Sequence, residues 1–375
     1  MSYSLCVHIG LPKTASTYLQ EKIFSNIPGY LGKHATLKTD QDIAKQFAHI
    51  APVSPLRLTG DPEAIRWWQR TREFAEATWP DIRQLILSEE YLTRRLAVSE
   101  FEASPIGYNR DQKDGDSKYK PQHGLSEFEF HVISKLPTNN FKLDVNRPIV
   151  GYLSFLRQSL QDLKAIKVIF VLRNQCEWLA SRYVQRSWRR LGANQKDFES
   201  QVDNLIERKD DYIDWSIWVE QLQSTLGKDN VLILLYEDMG RSIFWKALSN
   251  FLGVPSLGLQ KNSSSPHTQE NMNVRRVAQN RWGVRPLGEG WNYKPTRLYW
   301  SETQFPLAQC MTLKIIDLLK GYINLDPAVL ALLDWKRKPE IELTRDLRKR
   351  ITEYVRPSNE RLSMMLSRDL RPLGY

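Results

Sequence analysis

Four short, predominantly apolar runs set the terms on which this chain can fold: Leu5–Ile9, Leu85–Leu87, Val168–Leu172 and Val231–Leu235. A run that is apolar at nearly every position has to be covered on both faces, which is the situation of a parallel strand between helical layers. Between the runs the apolar spacing changes to that of helices, over Ser16–Phe24, Pro62–Ala77, Tyr152–Ala165, Glu177–Arg190 and Tyr212–Leu226. The turn signal Gly227-Lys-Asp-Asn230 introduces the last run. Strands alternating with helices imply βαβ units. The fold class expected is α/β, a P-loop-like three-layer α/β/α arrangement with a central parallel sheet. Ligands of such sheets sit beyond the carboxyl ends of the strands, so the residues that follow each run are the ones to read for chemistry.

Two polar, turn-rich stretches interrupt the alternation, 102–147 and 260–296, and both are too long for simple connections. Helical periodicity returns from Thr344 to Tyr375 with many arginines. No internal repeat is present, and one domain over 1–375 carrying two long polar insertions is the expected organisation.

The first run feeds Gly10-Leu-Pro-Lys-Thr-Ala-Ser-Thr-Tyr-Leu-Gln20. A strand entering a tight turn that opens a helix presents free backbone N–H groups and the positive end of the helix dipole to an anion. Lys13 adds a point charge, and Thr14, Ser16 and Thr17 add hydroxyls. An ordinary strand-turn-helix with Ser/Thr caps would look similar. The pattern GxxxxGK[ST] of nucleoside-triphosphate loops is absent, because Lys13 precedes the hydroxyl cluster and follows Pro12.

Pro12-Lys-Thr-Ala-Ser-Thr-Tyr-Leu-Gln20 resembles the 5′-phosphosulfate loop PK[ST]GTTxLQ of sulfotransferases that use 3′-phosphoadenosine 5′-phosphosulfate (PAPS). Ala15 stands where many members carry glycine. That exchange costs little unless the backbone there needs a positive φ. A second element supports the first: the run Val168–Leu172 leads into Arg173, and Ser181 follows two helical turns later. An arginine fork and a hydroxyl on adjacent elements can clasp one phosphate, although alone they read equally as a surface ion pair and a helix serine. The stretch is similar to the family's 3′-phosphate element. Tyr236-Glu-Asp-Met239 looks like the family's YEDL segment, read as structural. The ending Leu362–Tyr375 is similar to bacterial carbohydrate-type members.

The resemblance implies an in-line displacement in which the protein positions groups and stabilises developing charge. Lys13 would neutralise the leaving phosphate. Pro12, Lys13, Thr14, Ala15, Ser16 and Thr17 would form the 5′-phosphate loop, acting mostly through backbone N–H groups, and Arg173 and Ser181 would fix the 3′-phosphate. No metal is required. The acceptor needs a base, and the run Leu85–Leu87 ends in Ser88-Glu-Glu-Tyr91. Some members use a histidine there and others a glutamate. Glu90 is the expected base, with Glu89 the second choice; an unperturbed glutamate is weak for this purpose unless burial raises its pKa. His8, within the first run, reads as a packed core residue, and His123, His131 and His267 lie in the insertions. Trp282, Trp291, Tyr293, Tyr299 and Trp300 cluster beside arginines in and after the second insertion. They suit a sugar acceptor or, more plainly, a hydrophobic anchor for a long segment.

Composition is consistent with this reading and selects little further. The net charge of +10 suits an anionic ligand, and 41% apolar residues supply a large core. Three separated cysteines indicate neither a disulfide framework nor a zinc site, so a reducing, cytoplasmic compartment is expected. No run is long enough to span a membrane, and no RNA-binding signature appears, so no nucleic-acid partner is expected. The expected partners are PAPS and its product 3′-phosphoadenosine 5′-phosphate (PAP), with a saccharide or glycolipid as acceptor. A P-loop kinase or ATPase, and a non-catalytic nucleotide-binding protein, are the competing readings.

Overall fold

The computed structural model describes residues 2–11, 13–32, 35, 39, 41–44, 62–88, 148–160, 162–187, 190–191, 193–209, 211–254, 276–285, 299–300 and 340–375. Its centre is a parallel sheet of five strands: β1 (Tyr3–Gly10), β2 (Tyr30–Gly32), β3 (Gln84–Ser88), β4 (Leu163–Leu172) and β6 (Val231–Leu235), in the order β2-β3-β1-β4-β6. β1 is therefore the middle strand, in register with β3 at Leu5↔Leu85 and with β4 at Leu5↔Ile166. Its alternation decides the layers. Tyr3, Leu5, Val7 and Ile9 face one apolar layer, and Cys6 faces the other.

The larger layer is built by α2 (Pro62–Thr78), α3 (Pro148–Ser159), α4 (Gln175–Arg186), α5 (Gln195–Glu207), α6 (Trp215–Leu226) and α8 (Arg345–Met365). Trp178, Trp215 and Trp218 fill it with no more than 1% of their surface exposed. The smaller layer comes from α1 (Ser16–Tyr18), the π turn Leu19–Ile23 that continues it, and α7 (Ser242–Leu252). Helices on both faces of a parallel sheet make the three-layer α/β/α fold that the apolar runs call for.

Side-chain caps fix the helix starts: Asn174 for α4, Asn194 for α5, Asp214 for α6 and Thr344 for α8 each accept a first-turn N–H. Asp214 also accepts from Ser358 Oγ at 2.6 Å and from Arg361 at 2.7 Å, which binds α8 to the start of α6.

Several boundaries differ from the sequence expectation. The helix expected over Tyr152–Ala165 ends at Ser159, and β4 begins at Leu163. Leu163 pairs with Tyr3 and Ala165 with Ser4 of β1, across a local irregularity that lets one extra residue into β4, so pairing with the middle strand and not burial spacing makes this segment a strand. The pattern over Ser16–Phe24 is helical but changes type, from α to π to a 3-10 turn at Phe24–Asn26. The tail expected to be helical to Tyr375 leaves the helix at Met365, followed by a short 3-10 turn, Arg371–Leu373. Outside the main sheet, β7 (Arg276–Ala278), β8 (Arg281–Gly283) and β10 (Glu340–Glu342) form a small antiparallel sheet. β5 (Arg190–Leu191) pairs with β9 (Tyr299–Trp300) in parallel.

Candidate functional site

The loop after β1 leaves the middle of the sheet at its carboxyl edge. Lys13 has φ 69° and Ala15 has φ 62°, so two residues with a Cβ occupy the left-handed region within three positions. The condition attached to Ala15 in the sequence is met: this backbone does take a positive φ, and alanine carries its steric cost. Strain of this kind concentrates where a loop's shape serves a function.

Hydrogen bonds hold that shape. Thr14 N–H and Thr14 Oγ1 both donate to the Leu11 carbonyl, at 3.3 and 2.5 Å, and Ser16 Oγ donates to the same oxygen at 3.4 Å. Leu19 N–H closes back on the Ala15 carbonyl at 3.0 Å. Thr14 and Ser16 are buried, whereas Thr17 is exposed and Lys13 is half-buried. Two of the three hydroxyls expected to face an anion thus tie the loop to itself. What the loop offers an anion is backbone N–H at the opening of α1, with Thr17 and Lys13 at its rim. Pro12 lies outside the described residues.

Arg173 follows directly after β4, the neighbour of β1. Its Nη1 donates to the Lys13 carbonyl at 3.1 Å, and its guanidinium lies 4.6 Å from the centre of the Tyr236 ring. Its own carbonyl accepts from Trp215 Nε1 at 2.9 Å. Nη2 stands 3.7 Å from Glu177 Oε2. The structure therefore brings Lys13 and Arg173, the two basic residues singled out by sequence, to one place. Ser181 lies on the buried face of α4 with no exposed surface.

The surroundings of Arg173 are bound together by the segment Tyr236-Glu-Asp-Met239. Glu237 accepts from Asn174 N–H at 2.8 Å and from the Tyr375 hydroxyl at 3.0 Å. Asn174 Nδ2 donates to the Gly374 carbonyl. Asp238 takes both Nη atoms of Arg368. Burial pushes the Glu237 carboxyl up, against the lowering effect of its hydrogen bonds and of Arg173, and burial first, then Glu237, raises Tyr375 well above a normal phenol. These contacts latch the C-terminal turn onto the start of α4.

At the end of β3, Ser88 is fully buried and accepts from Gln20 Nε2 at 3.0 Å, while its Oγ lies 2.7 Å from His8 Nδ1. His8 packs edge-on against Phe24 at 5.2 Å, and burial pushes its pKa down to about 3. It is a neutral core imidazole, as its place in a buried strand suggests. His8 Nε2 and Gln20 Oε1 are buried without a hydrogen-bond partner. Glu89 and Glu90, the expected bases, come next in sequence and lie outside the described residues, as do Trp291, Tyr293, His123, His131 and His267. Of the aromatic cluster, Trp282 is core: it is fully buried on β8, opposite Ile341 of β10. It serves as an anchor rather than a sugar platform.

Sequence reasoning missed Glu177 and Tyr236 as neighbours of Arg173, and Arg348 as the partner of Glu177. Glu177 had a local signal, since it sits four residues after Arg173; the other two are brought in by the fold. Among the described residues, no group of three or more His, Cys, Asp or Glu is placed to hold a metal ion, and no helix is long and apolar enough to cross a membrane.

Comparison with known proteins follows the same lines. The profile of the sulfotransferase domain family matches residues 9–282, which include the loop after β1 and the Arg173 element. No curated protein sequence matches the chain. Among solved structures, a sulfotransferase from Alicyclobacillus acidocaldarius aligns over 100% of both chains with a TM-score of 0.42 and 13% identity. The family match extends over more than half of the chain, and the protein belongs to the sulfotransferase domain family.

Proposed function

We propose that the protein transfers the sulfuryl group of PAPS to a hydroxyl or amine of an acceptor, a saccharide or glycolipid, with PAP as the second product. One observation carries the reading: Arg173, at the end of β4, bonds the backbone of Lys13 in the loop after β1, so two phosphate-recognising elements share one edge of the sheet. The loop offers N–H donors and Lys13 for the 5′-phosphosulfate. Arg173 offers a guanidinium fork for the 3′-phosphate, with Ser181 as its partner from α4.

In this reading Lys13 balances the charge that grows on the leaving phosphate as the sulfur–oxygen bond breaks. Glu90, or failing it Glu89, takes the acceptor's proton as the new bond to sulfur forms. The sulfuryl group carries less charge than a terminal phosphoryl group, and the side chains supply the compensation without a metal. The free, buried Cys6 and Cys176 agree with a cytoplasmic location. Residues 102–147 and 260–296 are assigned to the acceptor side.

The test is calorimetric titration with PAP in EDTA, beside ATP with magnesium. PAP binding without ATP binding supports the donor site. Binding of ATP with magnesium alone would replace it with the kinase reading.

A further inference from the structure

Glu177 stands between two arginines, hydrogen-bonded to one and paired more loosely with the other. Its Oε1 accepts from Arg348 Nη2 at 3.0 Å, while its Oε2 stays 3.7 Å from Arg173 Nη2, beyond hydrogen-bond range. The carboxylate cannot drift far, because its backbone is pinned at the start of α4, where Glu177 N–H donates to Asn174 Oδ1 at 3.2 Å. Arg348 belongs to α8 and is itself held from the far side: the same Nη2 donates to Asn280 Oδ1, in the turn between β7 and β8, at 3.0 Å.

The geometry has a consequence for Arg173. A carboxylate within a rotamer change of a guanidinium closes onto it as a charge-assisted pair unless another cation holds it. Closure would occupy the Nη2 edge of Arg173. Two other parts of it are engaged as well, with Nη1 on the Lys13 carbonyl and one face on Tyr236. An incoming phosphate would then have to displace an anion from a largely buried arginine.

We infer that Arg348 is a positioning residue of the donor site: by holding Glu177 it keeps the Nη2 edge of Arg173 open to a phosphate. This rests on the assignment of Arg173 to the 3′-phosphate. A plain ion pair joining α8 to α4 would use the same contacts, so the test has to separate the two.

Calorimetry with PAP and with adenosine 5′-phosphate, which lacks the 3′-phosphate, does so in four proteins: wild type, Arg348→Met, Glu177→Gln and the double variant. Melting curves establish that each is folded. Arg348→Met weakens PAP binding by about 10–100-fold, the scale of one charge-assisted hydrogen bond, and leaves adenosine 5′-phosphate unchanged. Glu177→Gln in that background returns PAP affinity to within about twofold of wild type, and Arg348→Lys, which keeps a cation, retains most of it. Equal losses for both nucleotides, or no rescue by Glu177→Gln, would reduce Arg348 to a structural tie and overturn the inference. If wild type itself binds both nucleotides alike, the donor-site assignment falls first and takes this inference with it.

Discussion

Replacing Ala15 by glycine tests the loop's backbone directly, because the sign of the effect depends on one dihedral angle. If Ala15 were an ordinary helical residue, glycine there would cost about 1 kcal/mol. At φ 62° and ψ 22° the argument reverses. A residue with a Cβ pays about 1–2 kcal/mol in the left-handed region, which glycine does not. Against this, glycine gives up about 0.4–1 kcal/mol through the freedom of the unfolded chain. A half-buried methyl packed against the smaller apolar layer removes a few tenths more, on the scale of about 0.8 kcal/mol for full burial. The net expectation is stabilisation by roughly 0.5 kcal/mol. Ala15→Val, whose branched side chain fits this region worst, loses about 2 kcal/mol or more. Urea unfolding followed by the fluorescence of the 12 tryptophans measures both variants on one scale. An Ala15→Gly midpoint below wild type, with Ala15→Val the milder change, would mean that the loop is not left-handed at residue 15, and the strain argument would fail.

Further expectations follow from single contacts. His8 is buried neutral with a pKa of about 3, whereas the unfolded chain titrates near 6.5. Its contribution is complete above 6.5 and is lost as pH falls through that window, at about 1.4 kcal/mol per unit. His8→Gln should flatten the acid limb of a stability–pH curve, and an unchanged slope would refute the assignment. Tyr375→Phe removes a donor to the buried Glu237 and should cost about 1–1.5 kcal/mol in the same unfolding assay, with no loss contradicting the latch at the start of α4. Once an acceptor is found, Glu90→Gln should lower kcat by roughly 10²–10⁴-fold with PAP affinity intact. If Glu89→Gln does so instead, the base is reassigned.

What could be read from the sequence was whatever depended on neighbours in the chain. The apolar runs became β1, β3, β4 and β6 because a doubly covered strand declares itself by composition alone. The backward extension of β4 to Leu163 did not, since Lys164 and Lys167 break the apolar run. The edge strand β2 has only three residues and left no pattern. Lys13 and Arg173 stood out by their positions after strands. The bond between them spans 160 residues, and no local signal encodes it. The inward turn of the Thr14 hydroxyl, and the closing of Gly374 onto Asn174 across 200 residues, are likewise products of the assembled fold.

The bond from Arg173 to the Lys13 carbonyl also bears on the order in which the protein is made. The loop is synthesised 160 residues before the side chain that locks it. At about 5–20 residues per second, a ribosome takes roughly 8–32 s to cover that interval. Both strands that flank β1 are translated in the same interval, so the loop's own strand has no neighbours when it emerges. A nascent chain therefore has no locked loop after β1 until translation has passed β4. A ligand that needs both the loop and Arg173 would therefore favour the folded protein and could not template the early steps of its folding.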